Sequence, residues 1–174
     1  LGEYAAAASY YHNALDDRRT VLGLDDAKVA SSLAHLGRLH MQMGDYKKAA
    51  RLIGESLVMR ESIFAADAHP AVGSSMYLKA VLLQQLGQYK EAGSLMSKSL
   101  AIRRACLPNK HPSIAESLHG SGELTRHLGY PSQATESLDE AFRMRIRRFP
   151  EGSKYQHHIS VIQSMVSMGC TSRD

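Results

Sequence analysis

Two stretches decide how this chain folds: Gly44-Asp45-Tyr46-Lys47-Lys48-Ala49 and Gly87-Gln88-Tyr89-Lys90-Glu91-Ala92. They are one segment written twice. Outward from them, Gly2-Glu3-Tyr4 leads to Ala7 on one side, and Gly129-Tyr130-Pro131-Ser132-Gln133-Ala134 follows on the other. The four glycines stand 42, 43 and 42 residues apart. More positions keep that period: Ala14-Leu15, Ser56-Leu57, Ser99-Leu100 and Ala141-Phe142; then Arg18, Arg60, Arg103 and Arg145; then Leu22, Phe64, Leu107 and Phe149. A fixed period of this length marks a chain of stacked copies of one supersecondary unit.

Each copy reads as two helices. Val29, Ala30, Leu33, Leu36, Leu39, His40 and Met43 recur at three- and four-residue steps, as do Ala49, Ala50, Ile53, Leu57, Met59 and Arg60. That is the spacing of one buried helix face. Between the two runs Gly44 supplies a residue that adopts the left-handed conformation ending many helices. Pro70 and Pro112 suit the first helical turn, where a missing N–H leaves no bond unmade. Small residues recur where paired helices should cross: Gly37, Ala80 and Gly122 before the turn glycines, Ala49, Ala92 and Ala134 after them. Leu33, Met76 and Leu118 flank the crossing on the first helix, Ile53, Met96 and Leu138 on the second. Lys79 and Ser121 fall at apolar packing positions, which predicts local looseness or an outside contact.

The pattern divides the chain into a second helix of an incomplete copy (1–26), three helix pairs (27–68, 69–110 and 111–150), and a last helix within 151–174. That last helix, about Lys154 to Met168 and stopped by Gly169, is a cap or the first half of another copy. The pattern opens in mid-copy and without an initiator Met, so the chain reads as a piece of something longer.

Composition narrows the function classes. No apolar run approaches the roughly 18–20 residues that span a bilayer, and the first residues carry no secretory signal. Cys106 and Cys170 lack disulfide-framework or zinc spacing and read as free thiols. A net charge of +4 is too small to imply nucleic acid. His157-His158 diverge by about 100° on a helix and do not chelate one metal ion. No catalytic constellation stands out, and no cofactor is expected. His69 and His111 are expected to cap helices.

The small-residue crossing with bulky neighbours resembles the tetratricopeptide consensus. The His69-Pro70-Ala71-Val72 and His111-Pro112-Ser113-Ile114-Ala115 openings resemble the kinesin light chain subclass of 42-residue repeats, as do Val58-Met59-Arg60-Glu61 and Ala101-Ile102-Arg103-Arg104. The resemblance implies an all-α fold, an α-solenoid in which antiparallel helix pairs form a right-handed superhelix. It also implies that first helices line a concave face and second helices the outer one. Helical spacing then puts Ser31, Ala34, Arg38, Met41 and Gln42 in the groove, followed by Ser74, Tyr77, Val81, Gln84 and Gln85, and by Glu116, His119, Glu123, Arg126 and His127. Arg38, Gln42, Tyr77, Gln84, Gln85, His119, Glu123 and Arg126 are the candidate peptide-binding residues. Arg143, Arg145, Arg147 and Arg148 form a candidate convex basic patch.

The kinesin light chain groove carries a ladder of asparagines. Here Ala34-His35, Tyr77-Leu78 and His119-Gly120 stand in those places. The implied function is a non-catalytic scaffold or adaptor that holds a peptide or helical segment, acidic groups among its features, in a cytoplasmic motor, cytoskeletal or ciliary assembly. The alternative is a structural spacer docked by its convex basic face and edges. Neither nucleic acid nor membrane is an expected partner.

Overall fold

The computed structural model describes residues 2–64 and 69–146. These form seven helices and, among the described residues, no strand: α1 Gly2–Leu22, α2 Ala27–Gln42, α3 Tyr46–Phe64, α4 Pro70–Gln85, α5 Tyr89–Cys106, α6 Pro112–His127 and α7 Pro131–Ile146. The C-terminal helix expected over 154–168 lies outside the described residues.

Local chemistry sets the helix ends. The Asp26 carboxylate accepts the Lys28 N–H at 2.7 Å. His69 and His111 do the same job with imidazole: each Nδ1 accepts the N–H two residues on, from Ala71 at 3.1 Å and Ser113 at 3.2 Å. The His69 ring also stacks on Phe64, with centroids 3.8 Å apart. At the other ends Gly44, Gly87 and Gly129 have φ of 78°, 75° and 84°. The following N–H groups of Asp45, Gln88 and Tyr130 reach back to the carbonyls of His40, Leu83 and Thr125 at 2.9, 2.9 and 3.0 Å. This six-to-one bond closes the helix and starts an antiparallel partner one residue later.

Within each pair the helices cross at the small residues. Ala49, Ala80, Ala92 and Ala134 have no exposed surface, and neither do Ile53, Met96 and Leu138 opposite them. A Cβ on Gly37 would stand 2.7 Å from Ile53 Cγ1, and one on Gly122 would stand 2.6 Å from Leu138 Cγ. The core does not stop at pair boundaries. Leu15 of α1 packs with Val29, Leu33 and Leu36 of α2 and Leu52 of α3. Leu57 of α3 likewise packs with Val72 and Met76 of α4 and Ile102 of α5. Neighbours thus complete each other's apolar face, as stacked repeats must.

A polar ladder runs through the same seams. Ser56 Oγ donates to Ala30 O at 2.8 Å and lies 3.1 Å from Ser75 Oγ, to which Arg60 Nη1 donates at 2.8 Å. One unit on, Ser99 Oγ donates to Gly73 O at 2.7 Å, and Arg103 Nη1 donates to Ser117 Oγ at 2.8 Å. Arg18 reaches Ser32 in the same way. Arg18, Arg60 and Arg103 therefore clip α1, α3 and α5 to the first helix of the next unit.

Candidate functional site

First helices supply most of an open groove of about 510 Å³, with α2 giving His35, Arg38, Met41 and Gln42, α4 giving Ser74, Tyr77, Leu78 and Val81, and α6 giving Ser113 and Glu116. Arg60 and Arg103, from the second helices α3 and α5, reach between them to its wall. A smaller cleft of about 270 Å³ shares His35, Arg38 and Gln42 and adds Tyr4, Ala7 and Tyr11 of α1. The two openings therefore meet at Arg38.

Electrostatics favour anions here, since three arginines and one carboxylate, Glu116, line the larger groove. Arg60 holds Ala71 O at 3.0 Å and Ser31 Oγ at 3.1 Å in addition to Ser75. All its partners are neutral, and burial lowers its pKa. Arg103 lies 4.6 Å from the Tyr77 ring centroid, a cation–π stack that fixes the ring in the groove. Burial pushes the Tyr77 hydroxyl up, Glu116 adds to that, and Arg103 and Arg145 oppose it. His35 is held below the ordinary histidine value by burial first, then by Arg38, Arg60 and Arg18. His119 is held down by burial and Arg145, against Glu123.

The sequence-selected residues separate in space. Arg38, Gln42 and Tyr77 line the groove together. Gln84 is half-buried and Gln85 exposed at the end of α4, and neither borders it. His119, Glu123 and Arg126 follow one another along α6, where Arg126 Nη2 meets Glu123 Oε2 at 3.1 Å. Arg143 is exposed and paired with Asp139 at 2.7 Å. Arg145 does not share its face: it is half-buried, and its charge acts on Tyr77, Glu116 and His119. Two residues along a helix turn roughly 200°, so the two arginines point apart. Arg147 and Arg148 lie outside the described residues.

Sequence reasoning missed Arg60 and Arg103 as groove residues. The signal was present, because both recur at the repeat period, but a second-helix position had been given to the outer face. Ser121, in register with the fully buried Leu36, borders a separate cleft of about 340 Å³ with Leu124, Thr125 and Leu128. Among the described residues no helix is long and apolar enough to cross a membrane.

Comparison with known proteins places this geometry. No curated protein matches the chain. Three solved structures match at 20%, 20% and 14% identity, which speaks to the fold. The nearly identical TPR-like repeats of a predicted kinesin light chain from Podosopora anserina superpose at a TM-score of 0.74, covering 99% of this chain and 79% of that one at 20% identity. BtubC (BKLC) from P. vanneervenii gives 0.73 over 88% of this chain and 62% of that one, also at 20% identity. MamA gives 0.57 over 99% and 88%, at 14% identity. The family model described as the tetratricopeptide repeat matches residues 1–62 and 72–147, well over half of the sequence. With its paired helices, small-residue crossings and shared core, the chain belongs to the tetratricopeptide repeat family.

Proposed function

We propose that this chain is a non-catalytic scaffold whose inner groove holds an acidic, extended segment of a partner protein. The observation that carries this reading is the charge of the groove: Arg38, Arg60 and Arg103 against one carboxylate, with Tyr77 stacked on Arg103 in the same lining. Grooves that bind extended peptides pair a few side-chain pockets with polar groups for the peptide backbone. Gln42 and Ser74 supply such groups in the larger groove. Gln84 and Gln85 extend the surface along the end of α4, and His119, Glu123 and Arg126 extend it from the middle of α6 to its end. The three pairs 27–68, 69–110 and 111–150 act as the working units, flanked by 1–26 and 151–174. Likeness to kinesin light chain-like folds supports a cytoplasmic motor, cytoskeletal or ciliary complex as the setting.

Affinity capture from a lysate of the source cell tests the reading, with Arg38→Glu, Tyr77→Ala and Arg126→Glu beside Arg143→Glu. Loss of the captured partner with the first three alone supports the groove. Loss with Arg143→Glu alone replaces it with a spacer docked by its outer face. Turnover of any substrate by residues 1–174 would overturn the non-catalytic part.

A further inference from the structure

We propose that Glu116 is a built-in occupant of the groove's arginine site, standing where a carboxylate of the bound segment docks and yielding to it. The inference rests on the groove reading above and names how that site is regulated.

The repeat register isolates the feature. Ser31, Ser74 and Glu116 occupy one position in successive first helices. Ser31 accepts from Arg60 Nη2 at 3.1 Å, and Ser74 Oγ donates to Pro70 O at 3.0 Å. The third unit alone puts a carboxylate there. Its Oε2 lies 3.7 Å from Arg103 Nη1, and the two side chains differ sharply in exposure, 3% for Arg103 and 52% for Glu116.

At 3.7 Å the contact is an ion pair and not a hydrogen bond. The hydrogen bonds of Arg103 go to neutral groups, Ser113 O at 2.6 Å and Ser117 Oγ at 2.8 Å, while its buried Nε has no hydrogen-bond partner among the described residues. The guanidinium is thus held by its uncharged partners and stacked on Tyr77, and the carboxylate beside it belongs to a half-exposed side chain. Glu116 and Tyr77 also act electrostatically on Arg145, so Glu116 lies within the field of a second cation. With Glu116 half-exposed and no hydrogen bond made, solvent screens its side of the pair and the contact is weak. A partner's carboxylate can therefore take the place of Glu116, but must first overcome its repulsion. Such a resident charge lowers affinity for all acidic segments and rejects those with few acidic groups, a repulsive contribution to selectivity.

Fluorescence anisotropy with a fluorescein-labelled hexaglutamate peptide, at low salt on the full chain, tests this. Glu116→Gln is expected to bind the probe about threefold tighter or more, since releasing a pair whose carboxylate is half-exposed is worth up to roughly fivefold, with the gain shrinking as salt rises. Glu136→Gln, an equal change of charge at an exposed position on α7, is expected to stay within about twofold of wild type. Binding by Glu116→Gln with none by wild type also supports the inference. Equal or weaker binding by Glu116→Gln, or an equal gain in Glu136→Gln, overturns it. If Arg38→Glu abolishes probe binding while Glu116→Gln changes nothing, the groove reading stands and this inference alone falls. Absence of probe binding in every variant, or binding indifferent to Arg38→Glu, overturns both. Circular dichroism of each variant confirms that the helices persist.

Discussion

Gly120→Ala and Gly122→Ala form a matched pair of perturbations: one substitution, one helix, two residues apart. Intrinsic helix propensity favours both by about 1 kcal/mol, because glycine loses more backbone freedom than alanine. Packing separates them. At Gly120 the new Cβ would meet Met96 Cε at 2.6 Å and Sδ at 3.2 Å, the far end of an unbranched chain that can swing away. At Gly122 it would meet Leu138 Cγ at 2.6 Å, Leu138 Cδ2 at 2.9 Å and the Ala134 carbonyl oxygen at 3.1 Å. There a branch point and a backbone atom must move, which in a well-packed core costs about 1–3 kcal/mol. The expected result is that Gly120→Ala is neutral or stabilising by up to about 1 kcal/mol, while Gly122→Ala is destabilising by about 1 kcal/mol. The second unit suggests the rescue, since Ala80 already shares its crossing with Met96. Leu138→Met in the Gly122→Ala background is expected to recover most of the loss. Urea unfolding midpoints, read at constant slope, measure all four proteins. Stabilisation by Gly122→Ala equal to that by Gly120→Ala would refute the claim that close approach sets residue size at the crossing.

Ala92→Leu places a large side chain at a crossing with no exposed surface and is expected to lower stability by about 1–3 kcal/mol in the same assay. Arg60→Lys keeps the charge but cannot reach Ser75, Ala71 O and Ser31 together; a loss of about 1–2 kcal/mol is expected, and a change near zero would mean that the polar ladder contributes little. Stability should also fall on the acid side. His40 is held below the usual value by burial, with Asp45 opposing, and His119 by burial and Arg145, with Glu123 opposing. The unfolded chain therefore takes up protons that the folded chain resists: stability is full above about pH 6.5 and declines as pH drops toward the lower folded values. Urea midpoints between pH 7.5 and 5.5 should show the decline. His40→Leu, the residue that Leu83 places in register, should flatten it; an unchanged slope would remove His40 from the account.

The fold was open to sequence reasoning because its determinants are local or periodic. Turn glycines need a left-handed backbone, prolines suit first turns, and small residues mark where two backbones meet, so Gly44, Pro70 and Ala92 could be given roles from spacing alone. The histidine caps were legible for the same reason, since His69 and His111 act on N–H groups two residues away.

The site was only half legible. Spacing within each first helix put Arg38 and Gln42 of α2 and Tyr77 of α4 on the inner face, and they do line the groove together. It could not show that Arg60 and Arg103, long side chains on the opposite layer, pass between first helices to reach that groove, nor that Arg145 turns inward while Arg143 turns out. By itself the sequence determined the repeat, the helix pairs and the size of the residue at each crossing, because each follows from backbone geometry within one unit. Tertiary structure alone added Arg60 and Arg103 to the groove and so made it cationic, because these side chains leave their own helix and meet the groove only once neighbouring units stack.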